Sequence, residues 1–306
     1  MARTCARLVG LITVGTRLGD RMLDSFGMVT LFRFINASAP CTLHWHPEKA
    51  APDSTSLRVG GACDVRITPT EDWYLDFHSD DPDACVVRLP DVYSNWTRHG
   101  SFTPHQLFYS EPARAMLPAD VTPKSVVAVY QSVAHDTFST AHPFLRDERT
   151  QVGIHVRTTD KIVTHTESES ELWVSMLPYE TSSERQKEIE TRAFEYIEQE
   201  VIGKRKKRRF FIAVDDEANF GRFAERVRRA GGAVVNEDRG NVSIVGDFIG
   251  LASCDIVVQV TRYSTFSTAA SLVARVPLVN LGNSMRTNAE HIWLDTALFD
   301  MPYRTH

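Results

Sequence analysis

The chain has no apolar run approaching the ~20 residues that a membrane-spanning helix needs, and its 306 residues hold no internal repeat or low-complexity tract. Its formal net charge is only −5, which gives no general reason to expect nucleic acid or a membrane surface as partner. Cysteine is sparse and odd in number: Cys5, Cys41, Cys63, Cys85 and Cys254 are scattered, and no pair has CxxC spacing. That pattern indicates neither a zinc site nor a disulfide framework, and a reducing compartment is the simpler assumption. No GxGxxG or GxxxxGK[ST] opens either half, which disfavours an unrelated Rossmann-like or P-loop nucleotide enzyme.

What is present is a globular composition, 42% hydrophobic and 24% charged, in a chain long enough for two domains with separate cores. The start, MARTCARLVGLITVG, has the basic residues and short apolar run of a signal peptide. A first strand, Leu8 to Val14, fits better, because GTRLGDR after it has the character of a functional loop. Asn36-Ala-Ser38, Asn95-Trp-Thr97 and Asn241-Val-Ser243 are formal glycosylation acceptors, although Asn241 falls inside an apparent core segment. A soluble, cytoplasmic protein is the resulting expectation.

Along the first half, LVGLITV reads as a strand, and Leu23, Phe26, Val29, Phe32 and Phe34 give the segment from Met22 to Asn36 a helical apolar face. CTLHWH, CDVRITP and CVVRLPDV are further strands, and residues 47 to 72 are expected to be largely irregular surface. HPFLRDERT, residues 142 to 150, is the best candidate linker. The second half alternates regularly. VGIHVR, FFIAVDD, AVVNED, DIVVQVT and PLVNLG are strands; helices follow from Ser183, from Glu217, over VGDFIGLASC and over YSTFSTAASLVARV. That alternation predicts a doubly wound parallel sheet. The run Lys204 to Arg209 is read as a solvated turn that complements a helix C-terminus, rather than as a targeting signal. His44-Trp-His46 has no further metal ligand at a matching spacing.

Each half has a strand ending in a polar loop, and ligands of open α/β sheets sit beyond such ends. In the first half this is Gly15 to Arg21, where Gly19 and Arg21 can approach an anion. In the second, three strand ends converge: His155-Val-Arg157-Thr-Thr-Asp160-Lys161, then Asp215-Asp216, then Thr261-Arg-Tyr-Ser264-Thr265-Phe-Ser267. Arg157 can grip a diphosphate as a planar fork, and Lys161 adds a point charge. The last segment begins a helix, so its hydroxyls and N–H groups can reach phosphate oxygens. Together they suit holding a nucleoside diphosphate as leaving group without a metal. The blander reading is an ion pair of Arg157 with Asp160 or Asp215, and ordinary helix capping by Ser264 and Ser267.

HVRTTDK, FFIAVDDE and VGDFIGLASCDIVVQVTRYSTFS, in that order, resemble the α-1,6-fucosyltransferases and their bacterial nodulation-factor relatives. Asp247 lies eight residues before Asp255, as in that family. The resemblance covers roughly residues 150 to 285 well and 8 to 46 loosely. It implies a GT-B fold, two Rossmann-like domains facing across a cleft, here residues 1–145 on the acceptor side and 146–306 on the sugar-nucleotide side. The C-terminal tail would then pack back on the first domain. It also implies inverting transfer from GDP-fucose to a glycan hydroxyl, with no metal or other cofactor. By position Arg157 would hold the β-phosphate, with His155 beside the sugar or phosphates. Asp247 would reach toward the guanine, and Ser264 to Ser267 would lie on the phosphates. The family's proposed base, four residues after the Lys, is here His165, with Glu167 two further on, and either can serve. The second Arg of the family motif is Thr158, and the last turn is longer, including Arg262. Another UDP- or GDP-linked sugar, such as xylose or rhamnose, or a non-catalytic carbohydrate- or nucleotide-binding relative, are the alternatives. No motif encodes an oligomeric state.

Overall fold

The computed structural model describes residues 5–12, 18–47, 50–68, 82–92, 102–141, 150, 152–158, 162–163, 181–202, 208–237, 243–261, 264–282 and 285–287. The chain divides into two compact units. One is Met1–Pro143 with Ser243–Val245, and the other is Phe144–Val242 with Gly246–His306. Both are α/β. Among the described residues no helix is long and apolar enough to cross a membrane.

The first unit runs β1 (Arg7–Ile12), α1 (Leu18–Asn36), β2 (Cys41–Trp45), a 3-10 turn (Pro52–Ser56), β3 (Leu57–Val59), β4 (Cys63–Ile67) and β5 (Ala84–Arg88). It continues with α2 (Leu89–Val92), α3 (Pro104–Tyr109), α4 (Glu111–Met116), α5 (Pro123–His135) and β6 (Phe138–Ser139). The sheet order is β5-β1-β2-β4-β3-β6; the first four strands are parallel, and β3 is antiparallel to both its neighbours. From Leu8 onward β1 is buried, as a central parallel strand covered on both faces must be. Helix α1 starts at Leu18, so Gly19 and Arg21 stand in its first turn and not in the loop expected from sequence. Residues 47 to 72 are also more ordered than expected, because short β3 pairs back on β4 after tight turning at Gly60 and Gly61, both with positive φ.

The cysteine reading needs correction. Cys5 pairs with Cys85 and Cys41 with Cys63, with Cα atoms 5.5 and 4.7 Å apart. Sequence spacing carried no sign of this, because the sheet register creates the pairs: Cys41 lies opposite Cys63, and Leu8 opposite both Cys41 and Cys85. Paired cysteines belong to oxidising surroundings, so the expectation of a reducing compartment loses its basis. The fifth, Cys254, is a free buried thiol whose pKa burial, then Asp255, push up.

Asp24 lies in the buried surface of α1, and its Oδ1 accepts the Phe102 N–H at 2.7 Å. Burial pushes its carboxyl up to about 8; the Phe102 hydrogen bond opposes that rise and Asp20 adds to it. The folded state therefore prefers the neutral acid. Its contribution is complete below the unfolded value of 3.8 and is lost as pH climbs through about 8. Asp24→Asn keeps the acceptor and removes the titration. Its melting temperature should exceed the parent's by several degrees at pH 8 and match it near pH 4. An equal gain at both pH values would contradict this origin.

The second unit runs β7 (Val152–Val156), β8 (Ile162–Val163), β9 (Thr181–Ser182), α6 (Ser183–Ile202), β10 (Arg209–Val214), α7 (Glu217–Arg229) and β11 (Ala233–Val234). Then come α8 (Ile244–Ala252), β12 (Val257–Val260), α9 (Thr265–Ala274), β13 (Leu278–Asn280) and β14 (Met285–Thr287). The order β11-β10-β7-β12-β13-β14 is parallel except for β14. Read by chain order, the five parallel strands run 3-2-1-4-5, the doubly wound arrangement, with its switch point between β7 and β12. Of the presumed linker 142–150 only Thr150 is described, and it bridges Cys254. In the basic run, residues 204–207 lie outside the described residues, and Arg208 pairs with Glu200 at 3.3 Å.

Alternation divides this sheet into two faces. Val152, Ile154, Val156, Val258, Val260 and Val279 pack in one core with Ile189 and Ile197 of α6 and Phe223 and Val227 of α7. The residues between them face the other way, against α8 and α9. A Cβ on Gly153 would come 2.9 Å from Cys254 Sγ, so the start of β7 is closely covered there.

Candidate functional site

On that second face the strands turn polar toward their carboxyl ends. His155, Gln259 and Asn280 occupy one register row across β7, β12 and β13, and all three are buried. Arg157 and Thr261 follow two residues later in the same alternation and are buried as well. The switch point thus carries His155, Arg157, Thr261 and the start of α9, which the sequence also brought together.

Helix α9 begins without using its cap. Ser264 is the N-cap residue, yet its side chain makes no capping bond, which removes the bland reading of that serine. Among the described residues no hydrogen-bond partner is found for the buried Ser264 Oγ or Thr261 Oγ1. A buried hydroxyl left so costs about 1–3 kcal/mol, and such a group marks a place where a ligand oxygen can complete the bonding. Ser267 has a different task. Its Oγ lies 2.7 Å from the Gln259 amide and 3.3 Å from His155 Nδ1. The His155 ring lies against Phe266, centroids 5.0 Å apart, and Phe266 in turn meets Phe248 of α8 edge-on at 5.6 Å. The next residue back from Phe248, Asp247, is buried in the first turn of α8.

Asp215 serves the protein's own backbone. The Thr158 N–H donates to Asp215 Oδ2 at 2.8 Å, and Asn219 Nδ2 donates to Thr158 Oγ1 at 2.8 Å. Asp216 caps α7 by accepting the Ala218 N–H at 3.0 Å. The tip of β7 is therefore tied to the tip of β10 directly beside Arg157. Thr158, standing where the resembling family has a second Arg, is the fastening point. Sequence reasoning missed Gln259, Asn280 and Asn219. For Gln259 a signal existed, an amide between two valines in a strand otherwise apolar.

Asp160, Lys161, Arg262 and both base candidates, His165 and Glu167, lie outside the described residues, as do Asn95, Asn241 and the C-terminal tail. Gly19 and Arg21 belong to the first unit. There Arg21 is buried, donates from Nη1 to His46 O at 2.6 Å and lies over the Trp45 ring at 5.7 Å. It braces the end of β2. His44 bonds Thr68 Oγ1 through Nδ1 at 2.8 Å, and burial, then Arg66, lower its pKa to about 4. It is neutral at ordinary pH.

No protein-family model matches the chain, and no curated protein does. Solved structures similar to it include the group to which the sequence motifs point. POFUT1 in complex with GDP-fucose shares 14% identity over 90% of this chain and 98% of its own, with a TM-score of 0.47. The fucosyltransferase NodZ from Bradyrhizobium shares 11% over 92% and 98%, with a TM-score of 0.49. The E. coli heptosyltransferase WaaC shares 11% over 90% and 88%, with a TM-score of 0.43. Likenesses this distant assign no residue a role; in this chain the site is defined by its own hydroxyls, amides and strand ends.

Proposed function

We propose that this chain is a glycosyltransferase that moves a sugar, fucose foremost, from a nucleoside diphosphate to a glycan hydroxyl, with inversion and without a metal ion. The observation that carries the reading is the switch point of the second unit. There Arg157 stands beside the first turn of α9, and two buried hydroxyls, Thr261 Oγ1 and Ser264 Oγ, have no described partner. Helix N-termini and arginine forks are the groups that receive phosphate oxygens. The similar POFUT1 structures hold GDP-fucose or GDP, which makes GDP-fucose the first donor to try.

In the reaction the acceptor oxygen attacks the anomeric carbon from the face opposite the phosphate. The carbon–oxygen bond to the diphosphate breaks, and its electron pair stays with the β-phosphate. Arg157 and the α9 N–H groups would meet that developing charge, the kind of preorganised contact that typically contributes on the order of a hundred- to a thousandfold in rate. The acceptor proton would pass to His165 or Glu167. Asp247 would contact the base of the nucleotide. Replacing His165 and Glu167 together should stop transfer while nucleotide binding persists.

The first experiment is a thermal-shift series with GDP, UDP, ADP and CDP in excess, without and with magnesium. A ligand that binds only the folded protein raises its stability by an amount set by concentration over affinity, near 3 kcal/mol at about a hundredfold excess over Kd. Stabilisation by GDP, indifferent to magnesium, is the expected outcome. Stabilisation by UDP instead would keep the transferase and discard fucose as the donor. No shift with any of the four would remove the diphosphate site around Arg157.

A further inference from the structure

The buried polar row His155–Gln259–Asn280, with exposures of 6, 1 and 4%, lies on the α9 face of the sheet. Gln259 is the centre of that row, and an amide has two distinct ends. With its nitrogen toward Ser267, it donates to Ser267 Oγ at 2.7 Å and to Ser264 O at 3.2 Å. Its oxygen then accepts from Ser264 N at 3.3 Å and Asn280 Nδ2 at 3.1 Å. The reverse orientation sets the amide nitrogen against those two N–H donors and gains only Thr261 O at 3.3 Å and the Ser267 hydroxyl. In a buried row the fully satisfied orientation wins.

That orientation decides where a proton goes. The Ser267 oxygen now receives the Gln259 N–H, so its own hydrogen needs an acceptor. Two lie within reach, Ser264 O and His155 Nδ1, each at 3.3 Å. Ser264 O already receives Gln259, Thr268 Oγ1 at 3.0 Å and Thr268 N at 3.3 Å. A carbonyl offers two lone pairs, so it is saturated. The hydroxyl hydrogen turns to His155 Nδ1, and the neutral ring keeps its proton on Nε2.

We propose that Gln259 is a positioning residue that, through Ser267, fixes His155 as the Nε2–H tautomer. The tautomer follows from the contacts alone. Its use, as a fixed N–H donor to an oxygen of the sugar nucleotide, rests on the proposed function. Every partner in the chain is neutral, so the device needs no charge of its own and keeps working across the pH range in which imidazole is unprotonated.

The test is long-range 1H–15N correlation on protein labelled at histidine, at about pH 8, above the ordinary imidazole range. Signals of His155 are assigned by their loss in His155→Asn. A pyridine-like Nδ1 and a pyrrole-like Nε2 are expected. In Gln259→Glu the carboxylate can only accept, so it draws the Ser267 hydrogen to itself, and the ring should change to the Nδ1–H form. A carboxylate buried there can prevent folding, and Ser267→Ala therefore provides a second arm, in which the ring should become a mixture of both tautomers. A parent ring protonated on Nδ1, or a pattern unchanged in Ser267→Ala, overturns the proposal. GDP affinity in Ser267→Ala should fall about tenfold, the size of one hydrogen bond to a charged group. If the tautomer shifts and GDP affinity does not, the role in nucleotide binding is wrong. If the parent binds no nucleoside diphosphate, the proposed function fails while the spectrum still decides the tautomer.

Discussion

Arg157→Ala should lower transfer from the best-stabilising sugar nucleotide by on the order of a thousandfold, with little change in the melting temperature of the ligand-free protein. The residue is buried at the carboxyl end of β7, beside a backbone that Asp215 and Asn219 already hold in place. The strand tip does not depend on the guanidinium for its shape, so the loss should appear in chemistry before stability. Arg157→Lys separates the two contributions of the side chain. It keeps the charge and loses the fork, and should recover only a small part of the rate. Stabilisation by GDP should shrink in both variants. A normal rate in Arg157→Ala would end the assignment of the leaving-group site to this strand. A normal rate in Arg157→Lys alone would show that charge suffices and the planar geometry does not matter.

The second large effect belongs to the other unit. Reducing both disulfides, or replacing Cys41 with Cys63 and Cys5 with Cys85 by alanine pairs, should destabilise the protein substantially. The bonded positions are 22 and 80 residues apart. Loops of those lengths correspond to about 3 and about 4.5 kcal/mol in the chain-entropy account, as separate and not additive figures. Thiol counting checks the pairing before any unfolding experiment. Denatured without reductant, the protein should take up a single maleimide, on Cys254; with reductant all five cysteines should react. Five labels without reductant would show that the pairs do not form.

How much of this was readable beforehand differed between the halves. The second unit's strands are apolar runs separated by helices of ordinary length, so both its sheet and the gathering of His155, Arg157 and Ser264 at the strand ends followed from pattern. The first unit hid its cross-links because a disulfide depends on which residues become neighbours across a sheet. Sequence named β2 and β4 as strands but could not place Cys41 beside Cys63. Strand β3 was missed because three residues are too few to show alternation. Gln259 escaped for another reason: one amide in an apolar strand is easily taken as a tolerated exception, and only the register beside His155 and Asn280 gives it a task. Arg21, read as an anion contact, turned out to be engaged with His46 and Trp45 once helix α1 was seen to begin three residues earlier.

Cys85, Leu8, Cys41 and Cys63 form a single line across β5, β1, β2 and β4, near the end where each of these parallel strands begins. A strand that slips by one residue against its neighbour turns every side chain to the opposite face. Here β2 cannot slip against β4, nor β5 against β1, without breaking a covalent bond. The alignment of four strands is thus secured at one edge and owes nothing to the loops at the other. Those loops, after Ile12, Trp45, Ile67 and Arg88, can be shortened, lengthened or exchanged while the strands beneath them keep their places.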